Sequence, residues 1–122
     1  AYGLVSLAAE DYDSGSDFAT NVFTVPGTAY YQVSACMYVA AAELSSTGNL
    51  FLAIRKNSTT PIAVNTENVS DATADHSICL STGAYLSASD TIDLIAKDET
   101  GSTADVSIGS GKTFLSISKI GL

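Results

Sequence analysis

The sequence predicts an all-β protein of two antiparallel sheets packed face to face, and three observations support this. Gly, Ser and Thr are abundant, β-branched and aromatic residues gather in short stretches, and no stretch has the period of an amphipathic helix. Turn signals separate the stretches about every eight to twelve residues, the spacing typical of a sandwich. With 122 residues, we expect a single domain spanning 1–122 around one core.

The elements follow from alternating apolar runs bounded by Gly, Pro, Asn, Asp and Ser. Strands are expected at Tyr2–Ala8, Asp17–Val25, Thr28–Ala41, Asn49–Lys56, Ile62–Thr66, Asp75–Leu80, Thr91–Lys97, Ala104–Ile108 and Lys112–Ile120. The expected breaks are Asp13–Ser16, Pro26–Gly27, Ser45–Gly48, Asn57–Pro61, Ser81–Gly83, Glu99–Thr103 and Gly109–Gly111.

The strand that follows Pro26 and Gly27 has two apolar faces. One face reads Ala29, Tyr31, Val33, Ala35, Met37 and Val39, and the other reads Tyr30, Gln32, Ser34, Cys36, Tyr38 and Ala40. A strand that covers a core on one side only usually has a polar second face. We therefore expect a second copy of the chain to cover this face, and we predict a subunit contact through Tyr30, Cys36 and Tyr38.

The strand Thr91–Lys97 has a different pattern. Its inward positions are Ile92, Leu94 and Ala96, whereas Thr91, Asp93 and Lys97 point outward, with Ile95 as the exception. Alternation of this kind predicts a sheet with one solvated face, so that only the other sheet forms the subunit contact.

Charge and hydropathy exclude two classes of partner. The net charge is −8 and only five residues are Lys or Arg, so nucleic acids and anionic membranes are repelled. The longest apolar stretch, Val33–Ala42, is too short to span a bilayer. The first residues lack the basic segment of a secretion signal, so we expect a complete product made in a cytosol, with Ala1 left by removal of an initiator Met.

Five fragments in order resemble the globular heads of the C1q/TNF-like superfamily. They are Phe23-Thr-x-Pro, Tyr31-x-Val-Ser34, Leu52-x-Ile-x-Lys-Asn57, Tyr85-Leu-x-x-x-Asp-x-Ile-x-Leu94 and Thr113-Phe-x-Ser116. The resemblance covers nearly the whole chain and implies a jelly-roll β-sandwich that associates as a homotrimer. Two positions depart from the pattern, because Ala29 and Ser89 stand where the superfamily usually has Gly.

Relatives of this fold on bacteriophage particles suggest the function. The resemblance implies a non-enzymatic capsid decoration (cement) protein, made in the host cytoplasm and bound to the major capsid protein on the virion surface. Contacts to the capsid are expected from loop ends or from Ala1–Asp17. The alternatives are a receptor-binding tip of a phage tail fibre and a C1q-like recognition module, which exposed glycosylation sequons and oxidised cysteines would favour.

Catalytic chemistry has little support in the sequence. His76 is the single histidine, and its neighbours Asp75 and Ser77 point to the opposite face of a strand, so the three cannot form a triad through their own spacing. We expect His76 at the rim of the core. An enzyme of the cupin-like jelly rolls would need several metal-binding histidines. No catalytic residue and no cofactor are predicted.

The best metal candidate is the acidic stretch with Asp11, Asp13 and Asp17, because calcium prefers carboxylate oxygens. The stretch is not an EF-hand, since Val22 stands where the bidentate Glu would be. The preferred interpretation is a solvated acidic turn.

Cys36 and Cys79 match no metal or redox spacing, and packing is their expected role. If the jelly-roll order holds, their strands are neighbours and alternation places both sulfurs on the subunit-contact face, within roughly 10 Å. We expect both thiols to be reduced, as in a cytosol. The sequons at Asn57 and Asn68 are expected by chance in a chain so rich in Ser and Thr.

Overall fold

The computed structural model describes residues 3–4, 18–19, 22–39, 48–70, 75–98 and 114–121. Within these ranges the strands are β1 (Gly3–Leu4), β2 (Phe18–Ala19), β3 (Val22–Thr24), β4 (Ala29–Val39), β5 (Gly48–Lys56), β6 (Thr60–Val69), β7 (His76–Leu86), β8 (Thr91–Asp98) and β9 (Phe114–Gly121). The expected strand Ala104–Ile108 lies outside the described residues. The described part of the chain has no helix long and apolar enough to cross a membrane.

The strands form two antiparallel sheets, as expected. The larger sheet has the order β2-β3-β8-β5-β6, and β1 also pairs with β8. The smaller sheet has the order β7-β4-β9. The core lies between them, and the inward face predicted for β4 is confirmed, since all six of its residues are buried. They face apolar side chains of the larger sheet, namely Leu50, Leu52 and Ile54 of β5 and Ile92 and Leu94 of β8.

Two element boundaries were predicted wrongly. The expected single strand Asp17–Val25 is a pair of antiparallel strands, in which Phe18 is opposite Phe23 and Ala19 is opposite Val22. The expected break at Ser81–Gly83 lies inside β7, which pairs with β4 along its whole length, from His76 opposite Val39 to Leu86 opposite Ala29. The hydrogen bonds and buried side chains of this long ladder outweigh the turn preference of three small residues.

The break at Asn57–Pro61 is partly confirmed. Asn57 and Ser58 both have positive φ, and the amide of Thr59 donates to the carbonyl of Lys56 at 3.2 Å. This is the type I′ geometry that suits a tight hairpin. Pro61 itself belongs to β6, next to a register shift at Arg55, where the missing amide hydrogen is tolerated.

The solvated second face expected for β8 is wrong. Asp93 is 3 % exposed and Ile95 is 6 % exposed, so this part of the second face of β8 is buried. Asp93 is opposite Arg55 on β5, and the guanidinium donates to both carboxylate oxygens, from Nε at 2.9 Å and from Nη2 at 2.7 Å. This bidentate pair satisfies the charge that burial would otherwise make costly.

Candidate functional site

The side of the smaller sheet that points away from the core is the candidate site, and we call it the outer face. Alternation along β4 and the strand registers define its members. They are Tyr30, Gln32, Ser34, Cys36 and Tyr38 on β4, with Ser77, Cys79, Ser81, Gly83 and Tyr85 on β7 and Phe114, Ser116 and Ser118 on β9. None of these side chains carries a formal charge at neutral pH.

Large apolar groups of the outer face are open to solvent in the single chain. Tyr30 is 51 % exposed and Tyr85 is 55 % exposed, and their rings lie edge to face with centroids 4.8 Å apart. Phe114 is 37 % exposed. Ile120, which is adjacent to the outer face at the register shift in β9, is 61 % exposed. Such rings normally contact another surface when they gather on one face.

Rows across the outer face show how these groups are arranged. Tyr85 and Tyr30 form one row, and Cys79, Cys36 and Phe114 form another. Between them lie two rows of small or polar residues, Ser81, Ser34 and Ser116 and then Gly83, Gln32 and Ser118. The apolar groups therefore occupy two bands separated by hydroxyl and amide groups that can donate and accept hydrogen bonds.

The two cysteines are directly opposite each other on β4 and β7 and form a disulfide, so the expectation of reduced thiols is wrong. The expectation that both lie on the outer face of neighbouring strands is confirmed, with their Cα atoms 4.1 Å apart. Alternation along each strand places both sulfurs on the same face of the sheet. The pairing of β4 with β7 puts Cys36 opposite Cys79 and brings the sulfurs into bonding distance. The bond links positions 43 residues apart and joins the two strands that carry the tyrosine pair.

The remaining predicted residue of the contact, Tyr38, lies at the other end of the outer face and is half-buried. Its hydroxyl donates to Oδ2 of Asp75 at 2.6 Å. This hydrogen bond to a carboxylate raises the pKa of the Tyr38 hydroxyl, so the group stays neutral. The subunit-contact role of Tyr30, Cys36 and Tyr38 stays a prediction. Tyr85 was missed, because the expected break at Ser81–Gly83 removed it from a strand.

The end of the sandwich near the tyrosine pair is tied together by hydrogen bonds. The side chain of Asp90 accepts hydrogen bonds from Asn57 Nδ2 and from the amide of Ser87, both at 2.9 Å, and its Oδ2 lies 3.4 Å from Lys56 Nζ. These hydrogen bonds lower the pKa of Asp90, and the one from Asn57 has the larger effect. The β5–β6 turn and the β7–β8 connection are thereby held in fixed relative positions.

Ser89, in the same end, has φ of 74°, a conformation that favours glycine. It is one of the two positions at which the sequence departs from the Gly of the pattern that it resembles. The amide of Ser89 donates to the carbonyl of Val25 at 2.8 Å, which helps to hold the strained residue in place.

The other candidates do not assemble into a site. His76 lies at the start of β7, partly buried, with Nδ1 3.5 Å from Glu67 Oε1, so its expected position at the rim of the core is confirmed. Asp11, Asp13 and Asp17 lie outside the described residues. Within the described ranges, no group of three or more His, Cys, Asp or Glu is arranged to hold a metal ion.

Comparison with solved structures identifies the architecture. A crystal structure of murine APRIL at pH 5.0 matches with a TM-score of 0.74 and 13 % identity, covering 98 % of this chain and 96 % of that one. The fold is a TNF-like jelly roll. A second structure of murine APRIL, at pH 8.5, matches with a TM-score of 0.64 and 14 % identity, covering 84 % of this chain and 73 % of that one. No protein-family model and no curated protein sequence matches the chain.

The TNF-like jelly roll confirms the expected fold class, an all-β sandwich of two antiparallel sheets. The identity is too low to transfer a ligand, a partner or a biological setting, because one fold hosts many functions.

Proposed function

We propose that the protein is a non-enzymatic structural and binding protein that acts as a homotrimer, assembled through the outer face of the TNF-like jelly roll. The observation that carries this proposal is an uncharged face with two half-exposed tyrosines on a chain whose net charge is −8. Burying a half-exposed ring between subunits contributes roughly 1–2 kcal/mol. Several such rings per copy give an interface a well-packed apolar centre.

Charge favours a second copy over a foreign partner on this face. A basic partner would be attracted to acidic surface, whereas two copies of an acidic chain repel each other unless they meet where no charge lies. The side chains of the outer face meet that condition, and the Asp75 carboxylate approaches them at one end of the face, beside Tyr38. Association in threes is supported by the resemblance to the C1q/TNF-like heads, which assemble around a three-fold axis.

The proposed role of the trimer is to decorate and stabilise a bacteriophage capsid. A trimer at a three-fold or quasi-three-fold position would bridge neighbouring capsomers and resist their separation under the pressure of the packaged genome. The acidic surface suits this role, since like charge keeps free trimers from aggregating before they bind. The proposed location is the virion surface, with the major capsid protein as partner.

The composition of purified particles tests the decoration role. We expect a fixed, high copy number of this chain per particle, in multiples of three per capsid facet, by quantitative mass spectrometry against the major capsid protein. The capsid protein in the same sample is the internal control. A few copies confined to the tail would contradict the proposal and favour a receptor-binding tip.

A C1q-like recognition module is a second candidate, and the Cys36–Cys79 disulfide favours it, because disulfides persist in oxidising compartments. The sequons give it less support. The Nδ2 of Asn57, the atom that a glycan would occupy, donates to Asp90, and Asn57 Oδ1 accepts from the amide of Thr91 at 2.8 Å. At the second sequon, the Nδ2 of the exposed Asn68 donates to Asn49 Oδ1 at 3.2 Å, so its side chain is less tightly held than that of Asn57.

A further inference from the structure

The Cys36–Cys79 disulfide lies within the outer face, at the middle of the ladder between β4 and β7. Cys36 has a neighbour on each side, with Cys79 opposite it on β7 and Phe114 opposite it on β9. Cys79 is exposed in the single chain, and among the described strands its own strand is at the edge of the smaller sheet. Any subunit that covers the outer face therefore also covers this disulfide.

We propose that the Cys36–Cys79 pair is a redox-sensitive element that couples the thiol state of the chain to its self-association. This inference rests on the proposed trimer. Association shields the disulfide from thiol reductants, and reduction weakens association. At equilibrium, a reduction that weakens association by a given factor must itself be disfavoured by association by the same factor. Slower reduction in the trimer is a separate effect, which follows from blocked access to the disulfide.

The reductant in this proposal is a dithiol, which supplies the two electrons. One thiolate of the dithiol attacks Sγ of Cys79, the more accessible sulfur, and forms a mixed disulfide while the electron pair of the broken bond leaves on Cys36. The Cys36 thiolate takes a proton from water. The second thiolate of the reductant then displaces Cys79, which is also protonated, so the reductant is oxidised to a disulfide and the chain holds two thiols.

Access decides the rate of the first step. In-line attack on a sulfur needs an open approach to it, and exposed disulfides are the labile ones. The single chain offers such an approach at Cys79. In the trimer the approach would be closed by the partner subunit, so reduction must wait for dissociation.

The effect of reduction on association follows from the link that the disulfide makes between two strands. The disulfide fixes β7 to β4, and the same strands place Tyr85 beside Tyr30. Within the part of the chain that the structure describes, the one strand paired with β7 is β4. Opening the bond lets the edge strand move more freely, and the tyrosine pair must then be ordered when subunits meet, which weakens association.

The test measures reduction of the full chain by dithiothreitol at several protein concentrations, with alkylation and mass spectrometry to count thiols. We expect the rate of reduction to fall in proportion to the fraction of chain that light scattering shows as monomer, because only the dissociated chain offers an open approach to Cys79. The variant Tyr85→Asp should be reduced at the fast rate at every concentration. The matched control Val64→Asp changes an apolar residue that is 54 % exposed on the larger sheet, and should keep the slow rate.

The outcomes separate this inference from the proposed function. Equal rates for trimer and monomer, or an unchanged trimer dissociation constant after reduction, would overturn the coupling and leave the trimer standing. A monomeric mass at all concentrations would overturn both. Because dilution of the unmodified chain gives the same comparison, the test does not depend on the folding of any variant.

Discussion

Replacing Tyr85 by aspartate is expected to convert the proposed trimer into a monomer at micromolar concentration. The new carboxylate would lie among uncharged groups of the outer face, next to Tyr30, whose ring centroid is 4.8 Å from that of Tyr85. Burying an unpaired charge costs several kcal/mol per copy, more than the ring contributes. Tyr85 is 55 % exposed in the single chain, so the fold itself should tolerate the change. Light scattering measures the mass, and circular dichroism checks the fold.

Val64→Asp is the control for this variant, because Val64 is similarly exposed, at 54 %, but belongs to β6 of the larger sheet. It should remain a trimer. If Tyr85→Asp also stayed trimeric with unchanged affinity, the outer face could not be the subunit contact. Dissociation of both variants would point to a general effect of added negative charge.

Removing the disulfide is expected to lower the free energy of unfolding by about 4 kcal/mol. The reason is that the cross-link reduces the conformational entropy of the unfolded chain by closing a loop of this length. The change is the double variant Cys36→Ser with Cys79→Ser, which leaves no free thiol and removes the link between positions 43 residues apart. Guanidinium denaturation under monomeric conditions gives the difference directly. Working with monomer keeps the stability of the subunit contact out of the measured value.

A matched control uses Ser34 and Ser81, which are opposite each other on the same two strands and the same face. Replacing both by alanine should change the free energy of unfolding by less than about 1 kcal/mol. A loss of comparable size in the two double variants would show that the outer face, and not the cross-link, accounts for the effect. A loss under about 1 kcal/mol in the cysteine variant would contradict the expected stabilisation.

Sequence patterns predicted most of the fold because burial imposes them. The inward face of β4 is read from alternation alone, since every second residue must avoid water. The same parity placed Cys36 and Cys79 on the outer face. Their bonding could not be read in this way, because it depends on the register between β4 and β7, which the whole ladder of paired residues sets.

The errors have physical causes of the same kind. Ser81–Gly83 has the composition of a turn, but long-range pairing with β4 extends the strand through it and carries Tyr85 onto the outer face. Asp93 was expected in solvent because it is charged, yet Arg55 on the neighbouring strand pairs with it and allows burial. The apolar Ile95, an exception in the pattern of its strand, was the signal that this face is covered.

The molar mass of the purified, oxidised chain tests the central claim most directly. Size-exclusion chromatography with multi-angle light scattering at micromolar concentration should give about 37.5 kDa, three times the 12.5 kDa of one chain. A mass near 12.5 kDa across the accessible concentration range would contradict assembly through the outer face.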